Sequence, residues 1–229
     1  MYPDTRSRLL AARSALVLGP LLAAVSVVFQ PDLGGTPRQM LAALADSPLA
    51  AISAVAFLVS QLPLLVSVLT IGRLVETRAP RLSTWGTALG VVGCFGHTVF
   101  GGTSLIYVMM ANDEKHRGVY ADLMTRIQSS PVMLFSMVGL LGTVVGMLLL
   151  GIGLFRTRTG PVWVGPTIWS FLVIEFVGSS ISRYASYLSV LLLGAAFIAL
   201  AALIDRTSEG ERGESPRTPD HVADDRVQA

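Results

Sequence analysis

Gln61, His97 and Glu175 each stand deep inside a long apolar run. An amide, an imidazole and a carboxyl are groups that hold a polar ligand, hand a proton on, or pin helices together. In hydrocarbon they are costly, at roughly 2.5 to 3.5 kcal/mol for a charge at the centre of a membrane helix, and such groups turn toward the bundle interior. At a rise of about 1.5 Å per residue, His97 and Glu175 come to roughly 18 to 21 Å above one surface, and Gln61, counted from the other, to nearly the same level. Three polar groups at one depth are expected to form a hydrogen-bonded or ionic cluster. Desolvation disfavours charge on the acid and on the imidazole, while each favours charge on the other. Such a pair is able to exchange a proton near neutral pH, as transporter relays do. The plainer role for the same side chains is interhelical glue, at about 0.6 to 2 kcal/mol per contact.

Hydropathy gives the elements that must carry them. Hydrophobic residues make up 52% of the chain and charged ones 14%, which is a membrane composition. At about 20 apolar residues per crossing, the qualifying stretches are Ser14 to Phe29, Leu49 to Gly72, Trp85 to Met110, Pro131 to Phe155, Pro161 to Ser179 and Tyr184 to Ile204. The third carries His97 amid small residues at helical spacing, Gly86, Gly90, Gly93, Gly101 and Ser104, and the fourth answers with Gly139, Gly142 and Gly146. Small-residue faces let helices in lipid approach closely. The third and fourth are therefore the expected closest pair, with a hinge or sliding surface as the more functional reading of the same glycines. Pro63, two residues after Gln61, predicts a kink that frees carbonyls for a cavity or a polar neighbour.

Charge sets the ends. Arg6, Arg8, Arg13, Arg73, Arg78, Arg81, Arg156 and Arg158 fall on one side of the six crossings and hug the helix ends; Arg38, Lys115, Arg117, Arg126 and Arg183 fall on the other. The positive-inside rule then puts both termini in the cytoplasm. It also argues for keeping the first apolar stretch rather than reading it as a cleaved secretory signal, since no small-x-small site follows Phe29. From Asp205 to Ala229 the chain is acidic, polar and nearly free of apolar residues. Residues 205–229 are thus expected to be a disordered cytoplasmic tail on a six-helix domain of residues 1–204.

Two outer segments follow one plan. Thr36 is an N-cap with Pro37 at the first helical position, and Met40, Leu41 and Leu44 form an apolar stripe running up to Ser47-Pro48. Leu123, Met124 and Ile127 do the same before Ser130-Pro131. Interfacial amphipathic helices of this kind cap a bundle or, on a sharper reading, form a lid over an outward-facing cavity.

Several enzymatic chemistries fail for want of a partner. Gly102-Thr103-Ser104-Leu105 matches the G-x-S-x pattern of rhomboid intramembrane proteases, which pair that serine with a histidine from another helix. Here His97 is on the same helix, about 10.5 Å away along the axis. A bis-histidine haem needs two membrane histidines. Asp113, Glu114 and His116 lack a second set of metal ligands, and Glu175 is the sole deep acid where magnesium-diphosphate chemistry needs several. No glycine-rich phosphate loop precedes a cytosolic helix. The lone Cys94 forms no disulfide within one chain, and the basic excess lacks the concentrated face that nucleic acid requires. No cofactor and no metal is expected. The expected partners are the lipid bilayer and a further membrane or cytosolic protein subunit.

Longer stretches carry a resemblance. They are the arginine-led first helix with Gly19-Pro20, the segments ending Asp46-Ser47-Pro48 and Ser129-Ser130-Pro131, the Arg78-Ala79-Pro80-Arg81-Leu82 link, and the Gly151-Ile152-Gly153-Leu154-Phe155-Arg156 exit before Pro161-Val162-Trp163. Together they resemble a broad group of bacterial six-helix integral membrane proteins that carry domains of unknown function. The likeness spans most of Leu10 to Trp163, implies a bacterial-type inner membrane, and lends no activity. The expected fold is an all-α polytopic membrane bundle of six transmembrane helices with two outer interfacial helices. Two classes of function follow. One is a small permease, or the membrane subunit of a larger assembly, with Gln61, His97 and Glu175 in its polar interior. The other is an intramembrane enzyme acting on a lipid or isoprenoid, with His97 or Glu175 as general acid or base.

Overall fold

The computed structural model describes residues 5–213, the side chains at 5, 132 and from 205 onward excepted. Every regular element among the described residues is helical. In chain order they are α1 (Thr5–Phe29), α2 (Pro37–Asp46), α3 (Ala50–Glu76), α4 (Pro80–Asn112), α5 (Arg117–Gln128), α6 (Val132–Thr157), α7 (Val164–Phe176) and α8 (Arg183–Gly213). Five of them, α1, α3, α4, α6 and α8, are long and apolar enough to cross a membrane. Their outward faces are apolar as well. Leu62 is 70% and Met109 73% exposed, with Leu141, Val173 and Leu191 also well exposed, an apolar surface more extensive than water-soluble monomers present.

The apolar helices form a closed ring. α1 packs on α3, α3 on α4, α4 on α6, α6 on α7, α7 on α8, and α8 returns to α1. Apart from the closing α8–α1 contact, each step round the ring joins apolar helices consecutive in the chain, because short links join antiparallel helices. The α4–α6 seam is the tightest: a Cβ added at Gly139 would stand 2.5 Å from Gly96 Cα, and one at Gly142 2.7 Å from Leu89 O. Gly86, Gly90 and Gly93 continue the seam against Leu150, Gly146 and Thr143. Gly101 faces Phe57 and Leu58 of α3 instead, and Gly96, not singled out from the sequence, belongs to the seam. Its spacing after Gly86, Gly90 and Gly93 continues the same three-and-four rhythm.

The two short helices sit at one end. α2 begins with a capping box in which Thr36 N donates to Gln39 Oε1 at 2.8 Å and Gln39 N to Thr36 Oγ1 at 3.4 Å. Leu41 and Leu44 of α2 and Ala121 and Met124 of α5 bury against Ala50, Ala54, Val108 and Ala111 at the ends of α3 and α4. The order helix, short helix, Ser-Pro, helix thus occurs twice, as α1–α2–α3 and α4–α5–α6. Arg73, Arg78, Arg81, Arg156 and Arg158 gather at the opposite end, where Arg78 Nη1 donates to Thr157 O at 2.9 Å and ties the α3–α4 link to α6. Arg158, at φ 52°, closes α6 in the left-handed region.

Two elements differ from their sequence boundaries. The apolar run from Pro161 to Ser179 becomes a helix of 13 residues, about 20 Å long where a hydrocarbon core is about 30 Å. The turn through Arg158 and Gly160 (φ 82°) delays its start, and beyond Phe176 the backbone tightens into a 3₁₀ turn at Gly178–Ser180. α8 runs past Ile204 to Gly213, and the rest of the expected tail, residues 214–229, lies outside the described residues. Toward the arginine end the ring is filled by Leu16, Ile71, Val75, Leu150, Leu154, Ile168, Phe197 and Leu200, each nearly or fully buried. Toward the α2/α5 end the filling stops, and a cavity begins.

Candidate functional site

A partly enclosed cavity of about 150 Å³ lies inside the ring, and all six apolar helices line it. Gln61, His97 and Glu175 are all in its wall, with Ser60, Thr143 and a largely aliphatic and phenylalanine surface between them. None of the three hydrogen-bonds another. Each is instead anchored to its own surroundings and keeps a second polar atom without a hydrogen-bond partner among the described residues.

His97 is held from below. Its Nδ1 lies 2.9 Å from Gly93 O, one turn earlier on α4, and 3.1 Å from Thr143 Oγ1 on α6. A carbonyl oxygen only accepts, so Nδ1 carries the hydrogen. Thr143 in turn donates to Gly139 O at 3.2 Å. The glycine seam is what permits this arrangement. A Cβ at Gly93 would stand 2.6 Å from Thr143 N, so a larger residue there would push α6 off the imidazole. The ring of Phe57 lies 6.0 Å from the imidazole and tilted to it.

Gln61 is 5% exposed. Its Nε2 donates to Phe57 O and to Ser60 Oγ, both at 3.1 Å, and Ser60 Oγ donates to the same carbonyl at 2.6 Å. Both amide hydrogens are thereby engaged. α3 runs unbroken through Pro63, and the carbonyl that gathers side-chain donors lies just ahead of the proline.

Glu175 occupies the last turn of α7. Ser189 of α8, fully buried, lies against its Oε2, and Ser189 Oγ is also 2.9 Å from Ser186 O. A hydroxyl has one hydrogen and can accept others. With Glu175 ionised, Ser189 donates to the carboxylate; with Glu175 protonated, the carboxyl donates to Ser189, which turns its own hydrogen to Ser186 O. Ser189 is six residues into α8, about 9 Å from its start, whereas Gln61 is about 16 Å from the start of α3. Packing offsets those two starts, for Gly19 stands against Leu64 and Gly194 against Pro20, so Gln61 and Ser189 lie within about one turn of each other in depth, with His97 facing Phe57 on the same stretch of α3.

The buried polar atoms that lack a partner among the described residues are Thr87 Oγ1 and Trp169 Nε1. His97 Nε2, Gln61 Oε1 and Glu175 Oε1 have no hydrogen-bond partner either, but they are not sealed in protein. No family model matches this sequence. No curated protein and no solved structure is similar enough to match. The site is accordingly read from its own geometry.

Thr143 and Ser189, which fix the two titratable groups, escaped the sequence reading, since a hydroxyl inside an apolar helix is ordinarily satisfied by its own backbone. Ser104 is such a case: its Oγ donates to Phe100 O at 3.0 Å. The Asp113–His116 cluster stands apart from the cavity. His116 Nδ1 lies 2.9 Å from Asp113 Oδ2, and Tyr120 donates to the same oxygen at 3.0 Å. The hydrogen bond from His116, with that from Tyr120 behind it, holds the Asp113 carboxyl below its ordinary value, and Asp113 raises the Tyr120 hydroxyl. Among the described residues no three His, Cys, Asp or Glu side chains group as metal ligands.

Proposed function

We propose that the chain is a small permease of a bacterial-type inner membrane: α1, α3, α4, α6, α7 and α8 cross, both termini lie in the cytoplasm, and α2 and α5 lie at the outer interface. The arginines gathered at the end opposite α2 and α5 support that orientation. The resemblance to bacterial six-helix membrane proteins agrees with it. α7 crosses as a short helix extended by its 3₁₀ turn, with protein on both sides to satisfy its ends.

One observation carries the functional half. His97 and Glu175 keep their anchoring contacts in either protonation state, and both line the same cavity with a second polar atom that has no hydrogen-bond partner among the described residues. These two load and release a proton without the bundle rearranging, as a group in a proton relay must. The side chains of the wall that could serve as nucleophiles, Ser60, Cys94 and Thr143, make no hydrogen bond to His97 Nε2 among the described residues, which favours passage over the alternative of an intramembrane enzyme acting on a lipid or isoprenoid.

The test is proton flux into proteoliposomes that hold a pH-sensitive dye, driven by a potassium diffusion potential. Wild-type protein is expected to acidify the lumen faster than empty vesicles do. Glu175→Gln is expected to abolish the difference and Thr143→Val to reduce it. Equal rates with wild-type protein and with Glu175→Gln would remove the proposal.

A further inference from the structure

The hydrogen-bonding groups in the cavity wall point one way. Every hydroxyl, amide and imidazole donor in it is engaged with the wall: His97 Nδ1 to Gly93 O, both Gln61 amide hydrogens to Phe57 O and Ser60, Ser60 to Phe57 O, and Thr143 to Gly139 O. What remains for a ligand is acceptors, namely His97 Nε2, Gln61 Oε1 and Glu175 Oε1. No lysine or arginine lines the space, so Glu175 is its one acid with no cation beside it. The rest of the wall is apolar, with the rings of Phe57, Phe176 and Phe197 in it.

From this wall we infer that the cavity takes a small primary ammonium ion on a benzene-sized apolar body. An anion would meet three acceptors, one of them a carboxylate oxygen. A neutral hydrocarbon would fill the space but leave those acceptors buried and unpaired. An ammonium group supplies three donors in a compact head, and aromatic faces attract a cation that has left water. The size follows from the volume, because about 150 Å³ of apolar cavity holds one benzene ring.

This inference deepens the permease reading and rests on it for what the site is for, while occupancy is measured without flux. Purified protein in uncharged detergent is titrated by calorimetry with benzylammonium, benzyltrimethylammonium, benzyl alcohol and benzoate. The expected result is one benzylammonium per chain, bound about tenfold or more tighter than benzyl alcohol, the size of effect a desolvated cation gains from rings and a carboxylate. Benzyltrimethylammonium, a cation without N–H donors, should fall between the two, and benzoate should not saturate. Glu175→Gln should bring benzylammonium down to the alcohol, and Glu175→Asp should recover part of the difference. Because the ligand series is run on the unaltered protein, it decides the matter even if Glu175→Gln does not fold. Benzyl alcohol or benzoate binding as tightly as benzylammonium would overturn the inference and leave the flux proposal standing. Benzylammonium binding without proton flux would do the reverse.

Discussion

Gly139→Ala tests whether the glycine seam holds the ring in register. The added Cβ would stand 2.5 Å from Gly96 Cα, whereas ordinary contact begins at 3.4 Å, so α4 and α6 must part by about 0.9 Å there. The atom opposite is backbone and has no rotamer by which to withdraw. Overpacking of this kind costs about 1 to 3 kcal/mol, and the alanine returns up to about 1 kcal/mol of helix propensity. The control is Gly102→Ala on α4, where a Cβ meets nothing within 4 Å and the propensity gain stands alone. The two variants should therefore differ by about 2 kcal/mol. Reversible unfolding by sodium dodecyl sulfate in mixed micelles, followed by tryptophan fluorescence, measures that gap. Parting the helices also draws Thr143 from His97, so the pH profile of proton flux should move in Gly139→Ala and stay in place in Gly102→Ala. Equal unfolding midpoints for the two variants would refute the seam as the element that sets helix spacing.

Two further outcomes can be measured independently. Asp113 has its pKa depressed in the fold, so its contribution to order at the α4–α5 junction is complete above the ordinary carboxylate value and fades as pH falls through the lowered one. Hydrogen exchange at residues 114–120 should therefore be protected at neutral pH and accelerate in strong acid, Asp113→Asn should exchange fast at every pH, and the Tyr120 hydroxyl should then ionise at a lower pH, read at 295 nm. Arg158 holds a left-handed conformation that costs a non-glycine residue about 1 to 2 kcal/mol, so Arg158→Gly should raise the unfolding midpoint, and an unchanged or lower midpoint would place the strain elsewhere.

The helices were legible in the sequence because their signals are local and repeated. Apolar runs gave five long helices, Thr36 with Pro37 gave the start of α2, and glycines at spacings of three and four gave the α4–α6 seam. What escaped depends on where a chain turns. Nothing in the composition of Pro161 to Ser179 distinguishes a full crossing from a helix shortened by a left-handed turn at Arg158 and Gly160 before it and a 3₁₀ turn after it. The partners of the polar side chains escaped for a different reason. Gly93 O, Ser60, Thr143 and Ser189 are ordinary residues whose importance comes from who stands opposite, and spacing along one helix carries no information about the next.

Filling the cavity separates a site from a packing defect. Ala23 of α1 lines the space opposite the α4–α6 seam and is partly exposed to it. In Ala23→Leu the added methylenes enter open volume rather than backbone, the opposite of the situation at Gly139. Cavity filling commonly stabilises by about 0.5 to 2 kcal/mol, so the variant should unfold at a higher detergent fraction than wild type. A mere defect in packing would gain that stability at no functional cost. A ligand site would gain it and lose benzylammonium binding and proton flux together, because the leucine occupies the volume that the apolar body needs while leaving His97, Gln61 and Glu175 untouched. A stabilised Ala23→Leu that still binds and still conducts would show that ligand and proton travel elsewhere in the ring.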